Sequence, residues 1–572
     1  MERRVLIAVL LSFLVLYGYQ ALFPPPPDPT RKPVQASKAA TAPNASSPAV
    51  SNPTPSVHGA PAPAPEAEAT SAVPARDVEV DNADVHAVFT TRGAVLKSWQ
   101  LKKYRDEQKQ PLEMIAGHAP ADSPLPFTLG VDDPAVAAKL AAAPFTLTSE
   151  GGSPGWQAQF DYADESGLRA QKIFSIAADK PYLINVTASV TREGKPVPTT
   201  LRWGPALGSG ITVKSRTYNP PPQPIFFKDG KVSRISPAKI AAQPAQEGTF
   251  GFAGVDDHYF LVAVVKPKAA IRVEYAPVDV EIAGRPEGAH YVSWAARYPD
   301  SLHSASFFVG PKDFDVLAKV DNDLVRAIDF GMFAWLVVPL LRALKWINVY
   351  VGNYGWSLIL LTVLINLAMF PLRHKSVVSM RKMQEVQPEV KSIQERYAKL
   401  KMSDPARSKM NQEVMALYKE RGVNPASGCV PMLLTMPVLF AFYSMLSVAI
   451  ELRGAPFVGW IHDLSAHDPY FIFPVAMGIT MFVQQKMTPS TADPMQQRMM
   501  MIMPVMMTGM FLWAASGLVI YWTVSNAWGI GQQMITNRLI GPTPQRTVRP
   551  PAERLVKNIG GGRTEQAAKE RE

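Results

Sequence analysis

The stretch SLILLTVLINLAMFPLRHKS, residues 357–376, decides the fold. Up to Leu372 it is almost wholly apolar. Carried back to Tyr350, it reaches the roughly 20 residues a helix needs to span a bilayer. The run ends on bases: Arg373, His374 and Lys375. Inside it stand Thr362 and Asn366. Helical periodicity places Thr362, Asn366 and Arg373 on one face. Polar residues at this depth face protein or a water-filled cavity. Two readings follow: ordinary hydrogen-bonded glue between helices, or the wall of a hydrated groove.

The rest of the chain repeats the pattern. Apolar segments at Val430–Ile450, Pro469–Gln484, Met499–Ala515 and Gly517–Met534 make four further candidate spans. Pro437, Pro474 and Pro504 lie inside them, as membrane helices tolerate when neighbours satisfy the freed carbonyl. Residues 373–429 carry many Lys and Arg, whereas 451–468 carry Arg453 as their one base of that kind. The tail after Arg538 is basic again. Counting bases by the positive-inside rule puts the 373–429 loop, the 485–498 loop and both termini in the cytoplasm.

Upstream, Met1-Glu2-Arg3-Arg4 precedes an apolar run from Val5 to Phe23, which reads as an uncleaved anchor, 1–23. Residues 24–75, rich in Pro, Ala and Ser, bury too little apolar area to offset chain entropy and read as a disordered tether. From 76 to 321, stretches such as VEVDNADVHAVFTTRGAVLKSW (78–99) and IRVEYAPVDVEI (271–282) alternate at period two between Gly and Pro turns. They predict an all-β domain of two packed sheets on the outer side of the membrane. Residues 322–349 are interrupted by Pro339, Arg342 and Lys345 and fit an amphipathic helix lying in the interface. The fold class is therefore a polytopic α-helical membrane protein with six spans, an outer β domain and a cytoplasmic helical hairpin. The membrane core occupies 350–537, and 538–572 form a basic tail.

The hairpin lies within 373–429. Met383, Val386, Val390, Ile393, Tyr397 and Leu400 form one apolar stripe, and Met410, Val414 and Leu417 a second. Pro388 predicts a kink or the true start of the first helix. Ser403, Asp404 and Pro405 suit the start of the second. The outer faces are basic, with Arg381, Lys382, Lys391, Arg396 and Lys399. These bases either fix topology or offer a docking surface for an anionic partner such as lipid headgroups, ribosomal RNA or a targeting factor. The methionine-dense run Met495–Met510 is either gap filling or an adaptable apolar surface.

Catalytic patterns are poor. No P-loop or H-E-x-x-H occurs. DDHYF, residues 256–260, reads as a turn or surface feature. His462, Asp463, His467 and Asp468 lack ligand spacing, so no metal and no cofactor is expected. Cys429 is the single cysteine, which leaves no intramolecular disulfide.

Three ordered blocks carry a resemblance. They are MALYKERGVNPASGCVPMLLTMPVLFAFYSML (415–446), ELRGAPFVGWIHDLSAHDPYFIFPVAMGITMFVQQKMTP (451–489), and DPMQQRMMMIMPVMM (493–507) followed by SGLVIYWTVSN (516–526). The region 350–537 resembles the YidC membrane-protein insertase family, and TTRGAVLKSWQLKKY (90–104) resembles the β-domain opening of its Gram-negative form. The resemblance implies an insertase, not an enzyme. Five core helices would surround a hydrophilic groove closed outside and open to cytoplasm and lipid. A β-supersandwich like that of sugar mutarotases would lie outside. It implies nascent inner-membrane proteins as substrates, with the Sec translocon, the ribosome and the phospholipid bilayer as partners and no small-molecule substrate. Where that family usually has a groove arginine, alignment through MFPL places Asn366, with Arg373 on the same face nearer the cytoplasm. Matching positions give Thr362, Thr435, Met436, Tyr521 and Trp522 as further groove residues, and Met506, Met510 and Phe511 as an apolar slide. Two rival readings are a secondary transporter, against which stand the lack of a repeat and of a buried core acid, and an anchored sugar-active enzyme.

Overall fold

A computed structural model describes residues 75–540 apart from 107–108, 118, 121, 153, 208–220, 283–284, 300–301, 398–405, 424–429 and 489–493. The predicted anchor, nearly all of the tether, Lys399 and the tail beyond Ile540 lie outside the described residues, as does the Thr435 side chain.

Residues 77–311 form three antiparallel sheets. The largest has ten strands and runs through the centre of the domain by way of Phe252–Asp256, Phe260–Val265, Leu302–Pro311 and Leu183–Arg192. A five-stranded sheet includes the long pair Ile271–Ile282 and Arg285–Arg297. The sequence reading of two sheets needs correction: Asp77–Glu113 fold into a third, four-stranded meander. Its first three strands are consecutive hairpin partners, so their pattern reads like a sheet edge until its pairing is known. Period-two alternation is visible in the burial of Leu168–Ile176, whose even-numbered residues are buried. Phe89, Trp99, Phe127, Phe160, Phe174, Phe307 and Phe308 fill the core between the sheets.

One charge sits in that core. Lys172 is fully buried, and its Nζ donates to the carbonyls of Gly93 (2.8 Å), Ala94 (2.9 Å) and Phe127 (2.7 Å). An ammonium has three N–H donors, and all three are used. Each of the three acceptor residues has a positive φ, of 71°, 48° and 70°. At position 93 the close approach also demands glycine, because a Cβ would lie 2.6 Å from the Ala141 carbonyl oxygen. The buried cation thus ties two left-handed corners to Leu168–Ile176, a strand of the large sheet.

Nine α-helices occur among the described residues. Two short ones belong to the β domain: α1 (Pro134–Ala142) and α2 (Phe314–Val320). Each is N-capped by an aspartate, Asp133 and Asp313, accepting from the first turn. The others are α3 (Ala334–Val351), α4 (Tyr354–Arg396), α5 (Ala406–Glu420), α6 (Val430–Val448), α7 (Ile472–Met487), α8 (Pro494–Phe511) and α9 (Ser516–Ile540). Of these, α3 and α4 are long and apolar enough to cross a membrane among the described residues, and Met436–Val448 of α6 is a shorter apolar helix.

Pro339 does not break α3, and α4 runs through both Pro371 and Pro388. One helix of 43 residues therefore carries the apolar span and the first arm of the hairpin. The second arm, α5, packs antiparallel to it: Met383, Val386 and Val390 meet Val414, Leu417 and Val423. Arg396 and Tyr397 bind Glu413, and Arg421 binds Glu389.

Replacing Lys172 with Met would leave three buried carbonyls without a donor, at about 1–3 kcal/mol each before relaxation. The expected outcome is a lower urea midpoint for β-domain cleavage in pulse proteolysis of the full chain. An unchanged midpoint would show that the corners hold without the cation.

Candidate functional site

Helices α4, α6, α7 and α9 enclose a cavity of about 500 Å³. The first wall is the predicted face of α4. Thr362 is fully buried and donates Oγ1–H to the Leu358 carbonyl at 2.7 Å. Asn366 is nearly buried and donates from Nδ2 to the Thr362 carbonyl at 2.8 Å. Both side chains thus place one polar bond on their own helix, the usual resort of Thr and Asn in an apolar bundle. Arg373 lies two turns on and also lines the cavity.

On α9, Tyr521, Trp522, Ser525, Asn526, Gly529, Gln532 and Gln533 line the opposite wall. Their spacing is that of one helical face. Tyr521 stacks on Phe442 of α6, ring centroids 4.4 Å apart at 13°. Asn526 reaches Thr480 of α7 at 3.5 Å. Gln532 donates to the Phe370 carbonyl of α4 at 3.2 Å, while its own Oε1 is buried without a protein partner. An orphan acceptor beside a polar cavity of this size suits an ordered water. Gln484 and Thr488 complete the wall.

Among the described residues the lining holds one cation, Arg373, and no carboxylate; its other polar side chains are amides, hydroxyls and the Trp522 indole. Such a surface can solvate a polar peptide segment by hydrogen bonding to backbone and side chains. It offers no general acid–base pair.

The opposite end is closed by packing. The loop between α6 and α7 buries Leu452, Ile461 and Leu464. It accepts from Asn353 at the start of α4 (Phe457 O, 3.0 Å) and from the backbone of Ser516 and Gly517 at the start of α9 (2.7 and 2.8 Å).

The structure brings Thr362, Asn366, Arg373, Tyr521 and Trp522 together. It does not bring Met436, which is exposed; Val438, Leu439 and Phe442 line the cavity from α6 instead. Val438 and Phe442 lie about 200° and 240° round the helix from Met436, so Met436 falls outside the face centred on them. Among the slide residues, Met506 and Met510 are exposed, but Phe511 is buried edge-on against Trp522 at 5.0 Å. Gln484, Thr488, Gln532 and Gln533 escaped the sequence reading. They flank the ends of apolar runs, where an amide reads as a boundary; the spacing of Ser525, Gly529, Gln532 and Gln533 was the available signal. On the hairpin, Arg396 pairs with Glu413, and Arg381 donates to Asn537 of α9 at 2.8 Å.

Comparison with known proteins fits this architecture. The family model described as 60Kd inner membrane protein matches residues 346–543, and the model of the YidC periplasmic domain matches 77–343. The chain belongs to the YidC membrane protein insertase family. It is 37% identical to the membrane protein insertase YidC of Geobacter metallireducens, over 94% of this chain and 99% of that protein. It is 38% identical to that of Geobacter sulfurreducens, with the same coverage. A crystal structure of an active YidC insertase with the first transmembrane domain resolved aligns over 80% of this chain and 92% of that one, at 17% identity and a TM-score of 0.33. The chain is accordingly an inner-membrane protein that inserts other inner-membrane proteins, with an all-β periplasmic domain and a helical C-terminal region.

A Cβ at Gly529 would lie 2.3 Å from Gln484 Nε2. Gly529→Val is therefore expected to drive the Gln484 amide into the cavity. Insertion of a polar segment should fall three- to tenfold, about 0.7–1.4 kcal/mol in barrier. Adding Gln484→Ala should restore it. Protease protection of the substrate in liposomes checks both.

Proposed function

We propose that the cavity bounded by α4, α6, α7 and α9 is the groove through which this insertase takes polar segments part-way across the inner membrane. The observation that carries the reading is an amide- and hydroxyl-rich lining, with a single cation, inside an apolar helix bundle. A charge at the bilayer centre costs from about 2.5 to more than 10 kcal/mol. A polar groove lowers that cost over the depth it covers. The substrate's apolar helix then leaves toward lipid along Met506 and Met510, and its burial there drives the step. The membrane potential adds about 2.3 kcal/mol per charge per 100 mV. No nucleotide, metal or catalytic residue is needed.

The loop charges support an orientation with both termini and the α4–α5 hairpin cytoplasmic and the β domain periplasmic. The anchor at 1–23 with helices α4, α6, α7, α8 and α9 makes six spans, and α3 lies in the interface. The domain division at 23, 75, 321, 349 and 537 goes with that reading. Its exposed Trp335, Trp346 and Tyr350 suit the headgroup level. The basic hairpin, including Arg381, Lys382, Lys391, Arg396 and Lys399, is the docking face for the ribosome or anionic lipid. The Sec translocon is the partner for larger substrates. Arg373, at the cytoplasmic mouth, receives acidic substrate groups in place of a charge at Asn366.

Purified chain in liposomes should render a short two-helix substrate protease-protected without Sec or ATP. Arg373→Ala should slow substrates with acidic transferred segments and leave neutral ones nearly unchanged. Insertion of acidic substrates by the variant at the parental rate would remove Arg373 from recognition. No protection above empty liposomes, with an active insertase working in parallel, would overturn autonomous insertion.

A further inference from the structure

The DDHYF stretch is a turn, between Phe252–Asp256 and Phe260–Val265, but it is not a surface feature. Asp256 is fully buried. It accepts from Arg234 Nε and Nη2 at 3.1 and 2.9 Å and from Lys312 Nζ at 3.0 Å. Arg234 also donates to the Ala327 carbonyl at 2.7 Å, and Lys312 to the Asp257 carbonyl. The Asp257 carboxylate accepts the backbone N–H groups of Tyr259 and Phe260 at 2.8 and 2.7 Å, which locks the turn. Two acids and two bases thus hold His258 in one place.

From there the ring leaves the β domain. Its Nε2 lies 2.6 Å from the Ser447 carbonyl of α6. A carbonyl can only accept, so Nε2 carries the proton. Ser447 stands in the last turn of α6, where carbonyls lack intrahelical donors and the helix dipole is negative. The β domain therefore supplies the C-terminal cap of a membrane-core helix.

Other contacts grip the same end. Ser444 Oγ donates to the Phe330 carbonyl at 2.8 Å. Arg453, just past α6, lies 5.1 Å from the Phe260 ring. Lys345 of α3 bridges Asp313 at the β-domain margin (3.2 Å) to Glu451 (3.1 Å). Phe442, one of the α6 residues on the groove wall, lies five residues before Ser447 on the same helix.

We propose that His258 is a positioning residue for insertion, setting the groove wall from the periplasmic domain by capping α6 at Ser447. The turn, the cap and Phe442 form one mechanical path from the β sheet to the face that meets Tyr521.

The test uses the full chain in liposomes with a two-helix substrate. His258→Phe keeps the ring volume and removes the donor; His258→Gln keeps a donor. A second readout is the labelling rate of Val438→Cys by a water-soluble maleimide, on a Cys429→Ser background. Expected are an insertion loss of about fivefold in His258→Phe, the size of one lost hydrogen bond, a changed labelling rate, and recovery of both in His258→Gln. Insertion and labelling at the parental level in His258→Phe would overturn the proposal, as would equal losses in Phe and Gln with labelling unchanged. If His258→Phe loses its protease-resistant β domain, His258→Ala, which removes the donor without placing a new ring, decides by the same two readouts.

Discussion

A polar cavity between apolar helices is the constraint on which the membrane half of this protein depends. Amides and hydroxyls at that depth are costly unless each finds a partner or water. The chain meets the cost in two ways. Thr362 and Asn366 bond back to their own helix, so those bonds need no neighbouring helix. Gln532 and Asn526 bond across to α4 and α7, so they hold the walls together. The cavity persists because part of its polarity is satisfied locally and part is used as glue.

Much of this was legible in the sequence, for identifiable reasons. A shared helix face needs only the period of 3.6, so Thr362, Asn366 and Arg373 were found together. The hairpin stripes of Met383, Val386 and Val390 against Val414 and Leu417 followed from the same arithmetic. Strand alternation gave the β domain. Phase errors account for Met436, since a match by position does not say which side of α6 meets the cavity. The third sheet was illegible because period-two alternation is the same whichever sheet a strand joins.

DDHYF failed for a different reason. Adjacent carboxylates are usually exposed, because burial of an unpaired charge is prohibitive. Their partners here, Arg234, Lys312 and Ser447, lie 22, 56 and 189 residues away from the residues they bind. No local pattern signals that. The same holds for Lys172, whose three acceptors are backbone carbonyls and leave no trace in side-chain composition.

The two ends of the cavity are built by opposite means, and the difference has a physical consequence. Between α6 and α7 the closure is apolar and tied by backbone hydrogen bonds, and beside it His258 of the β domain caps Ser447 of α6 while Lys345 of α3 bridges Asp313 and Glu451. At the other end stand Arg373, Gln484, Thr488 and Gln533, polar groups that water can solvate. In the groove proposed above, closure at one end would keep the polar path part-way across, so that the remaining apolar thickness still blocks ions. In the proposal above the cap on α6 serves that closure, since Phe442, where α6 meets Tyr521 ring to ring, lies on the same helix. The bridge from Lys345 to Asp313 and Glu451 stiffens that junction, because breaking it would leave the buried Glu451 carboxylate without its cation.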